Sequence, residues 1–143
     1  MEEYVALLIL SHTNSIGNIK ARKLVDYFGS ATEVFSAQKS DLLNVHGIGH
    51  ECAEELLQWK DNDAWRRDLE AVEEDNVMLL PYTDARYPKM LRNIPDSPNI
   101  LYVKGSLTPA DRNSIAVVGT RAPTIYGKEM AERFGYDLAH YSF

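Results

Sequence analysis

The sequence predicts an α + α/β chain: a small all-helical domain over residues 1–75, followed by the beginning of an α/β domain over residues 76–143. Three observations predict it. A glycine-turn-helix unit occurs twice within residues 15–57, and helical spacing of apolar residues continues to residue 75. Further on, the β-branched run at residues 115–118 enters a glycine turn and then a helix rich in small residues.

The elements follow in order. The apolar run at residues 4–10 is too short for periodicity to separate strand from helix, and the helical surroundings favour helix. Residues 18–28 place Ile19, Lys23 and Phe28 near Leu24 and Val25 at helical spacing, and Gly29 supplies the stop. Ser30 or Thr32 is expected to cap a short helix through Val34 and Phe35, and Ser40 another through Leu42 and Leu43. Ser15-Ile16-Gly17, with Ala21, Leu24 and Val25 behind it, recurs 32 residues later as Gly47-Ile48-Gly49 with Ala53, Leu56 and Leu57. Two copies are too few for a solenoid, so a compact pseudo-twofold module of five helices is expected. Residues 62–75 continue as an amphipathic helix with Trp65, Leu69 and Val72 on one face. Residues 77–80 read as a buried strand ending at Pro81, and residues 100–103 as a second strand closed by Gly105. Between them lies a proline-rich connector in which Tyr82, Tyr87, Met90, Leu91 and Ile94 are the expected anchors. Residues 114–118 read as a third strand and 124–139 as a final helix. That helix sets Gly127, Ala131 and Gly135 in a row beside Met130, Phe134 and Leu138, a surface suited to lie close on a sheet.

Composition excludes several functions. The 143 residues carry a net charge of −6, which argues against a broad basic surface for nucleic acid. Residues 114–143 are balanced at three against three, so any anion site must be local and geometric. The single cysteine, Cys52, forms no internal disulfide and reads as a buried apolar thiol. No run approaches the roughly 18–20 apolar residues of a membrane span, and Met1-Glu2-Glu3 is acidic where a secretory leader is basic. A cytoplasmic protein without membrane attachment is expected. His12, His46, His50 and His140 are scattered, and His46 precedes its turn, so neither a metal site nor a catalytic constellation is expected. Asp61, Asp63 and Asp68 read as acids that cap and solvate a helix.

Two places carry chemistry. Each glycine turn, with Ser15, Gly17 and Lys20 in the first copy and Gly47 and Gly49 in the second, presents backbone N–H groups at a helix start and suits one backbone phosphate. Such hairpins read DNA without regard to sequence. Against this, Glu51, Glu54 and Glu55 follow the second turn and repel phosphate, which favours reading the turns as devices that dock helices, with Gly49→Val straining the backbone, over direct DNA contact. The second place is Gly119-Thr120-Arg121 at the carboxyl end of the third strand. An amide, a hydroxyl and a guanidinium there suit a phosphate, unless Arg121 is paired with a local carboxylate. A single glycine excludes both the dinucleotide fingerprint and the Walker A loop.

The run Val117-Val118-Gly119-Thr120-Arg121-Ala122-Pro123-Thr124, followed by Tyr126-Gly127, resembles the Gly-Ser/Thr-Arg motif that opens the Rossmann-like domain of DprA/Smf proteins. The preceding Tyr87-Pro88, Leu91, Ile94, Asp96, Pro98, Leu101 and Gly105 are similar to that family's connector, and the helical repeat fits its helix-hairpin-helix or SAM-like front domain. The resemblance implies single-stranded DNA binding, often as a homodimer, and loading of the RecA recombinase during natural transformation, without catalysis and with no cofactor. It implies that Arg121 contacts a DNA phosphate. The family continues with further strands and a second glycine-rich loop, so the chain is expected to be a piece of a longer protein. Residues 1–75 are then expected to hold a folded module while residues 114–143 are labile or self-associated. Two other readings remain: a Rossmann-like nucleotide or phosphoribose hydrolase, which needs a catalytic carboxylate beside a second glycine-rich loop, and a helical protein-interaction module.

Overall fold

Five consecutive residues of the first helix, Ala6 to Leu10, are buried, and this decides how everything up to Ser106 is arranged. A helix that is apolar on every side must be enclosed rather than laid on a surface. The computed structural model of the chain describes residues 1–109 and 114–141. It comprises two compact units, Met1–Ser106 and Leu107–Phe143.

In the first unit α1 (Glu3–Ser11) is surrounded by α2 (Asn18–Phe28), α3 (Ala31–Val34), α6 (Ala64–Glu74) and a two-stranded antiparallel sheet of β1 (Val77–Pro81) and β2 (Ile100–Lys104). α4 (Lys39–Leu43) and α5 (His50–Leu57) pack together, and a single 3-10 turn, Trp59–Asp61, leads to α6. The short α7 (Lys89–Arg92), which the sequence does not announce, lies within the connector. The hairpin β1–β2, grouped by the sequence with the later segment, belongs to the same compact unit as the helices: Leu79 and Ile100 join the core formed by Leu7, Leu8, Leu24 and Leu56.

Local chemistry explains the helix ends. Gly29 ends α2 at φ +90°, a conformation that side-chain-bearing residues resist. Ser30 accepts the Glu33 amide at 3.2 Å, and Glu3 reaches across from α1 to accept the amides of Ala31 at 2.7 Å and Thr32 at 3.2 Å. The start of α4 differs from expectation: Gln38 and Asp41 form its capping box, not Ser40, because helix begins at Lys39 and leaves Ser40 inside the first turn. Met90 and Ile94, expected as anchors of the connector, are exposed.

The repeat is present in the backbone. Ile16 and Ile48 each donate to the carbonyl three residues earlier at 3.0 Å, and Ala21 and Ala53 each donate to the turn glycine, Gly17 or Gly49, at 3.0 Å. Ile16 and Ile48, Ala21 and Ala53, and Leu24 and Leu56 are all buried; Val25 is buried but its counterpart Leu57 is 47% exposed.

In the second unit α8 (Ile125–His140) is the one regular element among the described residues. The third strand expected at residues 114–118 is not formed: this stretch is irregular and exposed, with Val118 at 89%. A strand exists only by pairing, and among the described residues of this unit no strand is available to pair with. Met130 and Leu138 are half-buried and Phe134 is exposed, so neither row of α8 is covered.

The enclosed helix yields a direct prediction. Leu8→Ala should lower the unfolding free energy by about 2–5 kcal/mol in urea denaturation. Ile19→Ala, at an exposed site of α2, should change it by less than about 0.5 kcal/mol.

Candidate nucleic-acid interface

The two hairpins share a backbone and differ in what fills them. In the second, Gly47 takes φ +92°, and Gly47 and Gly49 are exposed; the Gly47 amide carries no hydrogen bond among the described residues, while the Gly49 backbone bears on the Cys52 thiol. The strained position is therefore Gly47. Gly49 has φ −96° with open space where a Cβ would point, so the strain expected of Gly49→Val is absent. The Lys23 ammonium lies 3.9 Å from where a Cβ on Gly47 would stand.

In the first hairpin the donors are already engaged. Glu55, on α5, accepts the Asn14 amide at 2.6 Å, the Ser15 amide at 3.0 Å and the Ser15 hydroxyl at 2.5 Å. Burial raises the Glu55 pKa, but the Ser15 hydroxyl and the Ser15 and Asn14 amides more than offset this and hold the carboxyl below its ordinary value. Lys20 donates to the Ser15 carbonyl at 2.9 Å and to the Cys52 sulfur at 3.3 Å, so it braces this turn from inside. Cys52 is buried; burial raises its pKa, and the contacts with Ser15, Lys20 and Gly49 bring it below the usual thiol value.

Three cations follow the first turn, and structure separates them. Arg22 points into the connector, donating to the Ser97 carbonyl at 2.8 Å with its guanidinium 4.7 Å from the centre of the Tyr82 ring. Lys20 is braced as described, and Lys23 is exposed without a polar partner among the described residues. The connector itself is a clamp. Tyr87 is buried and bonds Ser97 Oγ at 3.0 Å and the Pro98 carbonyl at 2.8 Å, while Asn99 donates to the Asn18 carbonyl at 3.0 Å. These polar anchors escape sequence reading because serine and asparagine are ordinary loop residues. His12 and Tyr102 both bond Asp68, joining α1, α6 and β2 in a way the spacing of the histidines does not reveal. Burial pushes the Asp68 pKa up, and the Tyr102 and His12 bonds outweigh it and hold the carboxyl below its ordinary range.

The loop Gly119-Thr120-Arg121 is exposed throughout. Thr120 Oγ1 accepts the Ala122 amide at 3.4 Å, and Thr124 caps α8 by accepting the Gly127 amide at 3.1 Å. Arg121 has no carboxylate partner among the described residues. Arg121 precedes by four residues the start of a 16-residue helix, whose positive end favours an anion. Among the described residues no helix is long and apolar enough to cross a membrane, and no group of three or more His, Cys, Asp or Glu is placed to hold a metal.

Comparison with known proteins adds the following. Residues 78–143 match the family model of DNA recombination-mediator protein A, and residues 13–69 match a helix-hairpin-helix motif. The chain is similar to Protein Smf of Synechocystis sp., 26% identical over 140 residues that make up 95% of this chain and 35% of that protein. It is also similar to DNA processing protein DprA of Bacillus subtilis, 38% identical over 73 residues that make up 50% of this chain and 25% of that protein. The matched lengths are thus about a third and a quarter of these relatives. No solved structure matches the chain significantly.

Two outcomes follow from the hairpin geometry. Gly47→Ala should cost roughly 1–2 kcal/mol of stability because alanine resists a left-handed φ, while Gly49→Ala, free of that strain, should lose only the smaller preference for glycine over alanine at the N-cap of α5 in the same denaturation experiment. The lowered Glu55 pKa means that its stabilisation is present above the ordinary glutamate range, near roughly 4.3, and is lost as pH falls through the lower folded-state value. Glu55→Gln should therefore cost about 1 kcal/mol at neutral pH and make the acid limb of the stability profile shallower.

Proposed function

The chain belongs to the DprA/Smf family, the DNA recombination-mediator protein A family matched by residues 78–143, and from that premise we propose that it serves DNA processing by binding single-stranded DNA. The observation that carries this reading is the unpaired, exposed Arg121 between Thr120 and the capped start of α8, inside the matched segment. Gly119, Thr120 and Arg121 supply an amide, a hydroxyl and a guanidinium to one backbone phosphate, which fixes position on the strand without reading sequence. The matched segment contributes the first turn and helix of a Rossmann-like domain. The helix-hairpin-helix module adds a phosphate contact from its second turn, where the Gly47 amide is exposed and carries no hydrogen bond among the described residues.

In the whole protein this binding serves a recombination mediator that protects incoming DNA, acts as a homodimer and delivers the strand to the RecA recombinase in transformation. The matched family, DNA recombination-mediator protein A, and the similar DNA processing protein DprA support a role in DNA processing and recombination. The role needs no catalysis. The chemistry assigned to Arg121 is charge pairing, and no nucleophile and base are placed together at this loop.

Arg121→Ala is the test, read by fluorescence anisotropy with oligo-dT over a range of salt. The expected result is weaker binding and a log–log salt slope smaller by roughly 0.7, the loss of one single-strand phosphate contact, with thermal stability unchanged. Unaltered affinity and slope remove Arg121 from the interface.

A further inference from the structure

We infer that the two hairpins are opposite in state: Glu55 fills the first from within and closes it to DNA, while Lys23 keeps the second open to a backbone phosphate. This rests on the single-strand-binding reading above and names which hairpin acts in it. The inference comes from the repeat. Residues 23 and 55 are separated by 32 positions, the offset that relates Ile16 to Ile48 and Gly17 to Gly49, so they occupy one position of the repeated unit. Each lies on the helix following its own turn and reaches across to the turn of the other copy. Glu55 reaches Asn14 and Ser15, and Lys23 reaches Gly47.

The charge at this shared position then decides what each turn holds. In the first copy, two amides and a hydroxyl from adjacent residues converge on the two Glu55 oxygens at 2.6, 3.0 and 2.5 Å. That is how a protein nest grips a phosphate, and here the gripped anion is a carboxylate of the chain itself. The turn borders an open cleft of about 610 Å3 lined by Asn14, Ser15, Glu51, Glu54, Glu55 and Gln58, whose acids turn away a second anion. In the other copy no carboxylate contacts the turn among the described residues, Gly47 replaces Ser15 at the equivalent position, the Gly47 amide carries no hydrogen bond there while the Gly49 backbone bears on the Cys52 thiol, and an exposed ammonium stands alongside. A phosphate entering the second turn meets the open Gly47 amide and a cation; one entering the first must expel a carboxylate that holds three hydrogen bonds.

The charge swap is the test, on the intact chain, by oligo-dT anisotropy with thermal melts alongside. Lys23 is exposed, so Lys23→Glu should fold normally. It should weaken binding severalfold and lower the log–log salt slope by roughly 0.7, relative to Lys60→Glu, which makes the same change of charge at a site away from both turns. Glu55→Gln should bind more tightly than wild type, beyond the change produced by Glu51→Gln in the same cleft. In wild type, amide NMR should show oligo-dT shifting Gly47 and Gly49 while leaving Asn14 and Ser15 in place. Should either glutamine or charge-swap variant fail to fold, these wild-type amide shifts decide alone. Binding by wild type with Lys23→Glu equal to Lys60→Glu, or with shifts at Asn14 and Ser15 instead, overturns the inference and leaves the single-strand reading standing. No binding by any of these proteins overturns both.

Discussion

The burial of α1 is the constraint on which the first unit depends. Ala6, Leu7, Leu8, Ile9 and Leu10 leave no polar face, so water must be excluded from the whole circumference of the helix. The hairpin-bearing helices alone do not accomplish this. α2 and α3 cover part of α1, and the remainder is covered by α6 (Ala64–Glu74) and the β1–β2 sheet (Val77–Pro81 and Ile100–Lys104), which come much later in the chain. The hairpin turns are thus held in place by a core that the connector completes.

That dependence gives the polar residues of the connector their meaning. Arg22 and Asn18 lie on α2, directly after the first turn, and both are bound by the connector, through the Ser97 carbonyl, the Tyr82 ring and Asn99. A loop rich in proline loses little entropy on ordering, and Tyr87 locks it by spending its hydroxyl on Ser97 and Pro98. The family match at residues 78–143 begins inside β1, so its connector part packs with the helical module while its later part carries the Gly119-Thr120-Arg121 loop. Arginine at position 22 is consumed in packing, whereas Lys23 and Arg121 are exposed and have no ion-pair partner among the described residues.

Much of this was legible in the sequence where a local rule decides. The end of α2 at Gly29, the Thr124 cap of α8, the strands beside Pro81 and Gly105 and the 32-residue repeat all follow from side-chain chemistry within a few positions. What stayed hidden depends on contacts distant in sequence. Glu55 meets Asn14 across 41 residues, and Asn99 meets Asn18 across 81. Gly47 and Gly49 look alike as letters, yet one sits at positive φ and the other at a helix cap. Residues 115–118 have the composition of a strand, but composition supplies no pairing partner, and the stretch is irregular for that reason.

Native-state hydrogen exchange across the intact chain tests the dependence on α1 most directly. If the hairpin is part of what encloses this helix, the amides of α1 and those paired between β1 and β2 should exchange through one shared opening, with equal dependence on denaturant. The irregular residues 114–118 should show no protection. A β1–β2 sheet that opens by itself while Ala6 to Leu10 remain protected would contradict the account, because it would leave α1 stable without the wall that the structure assigns to it.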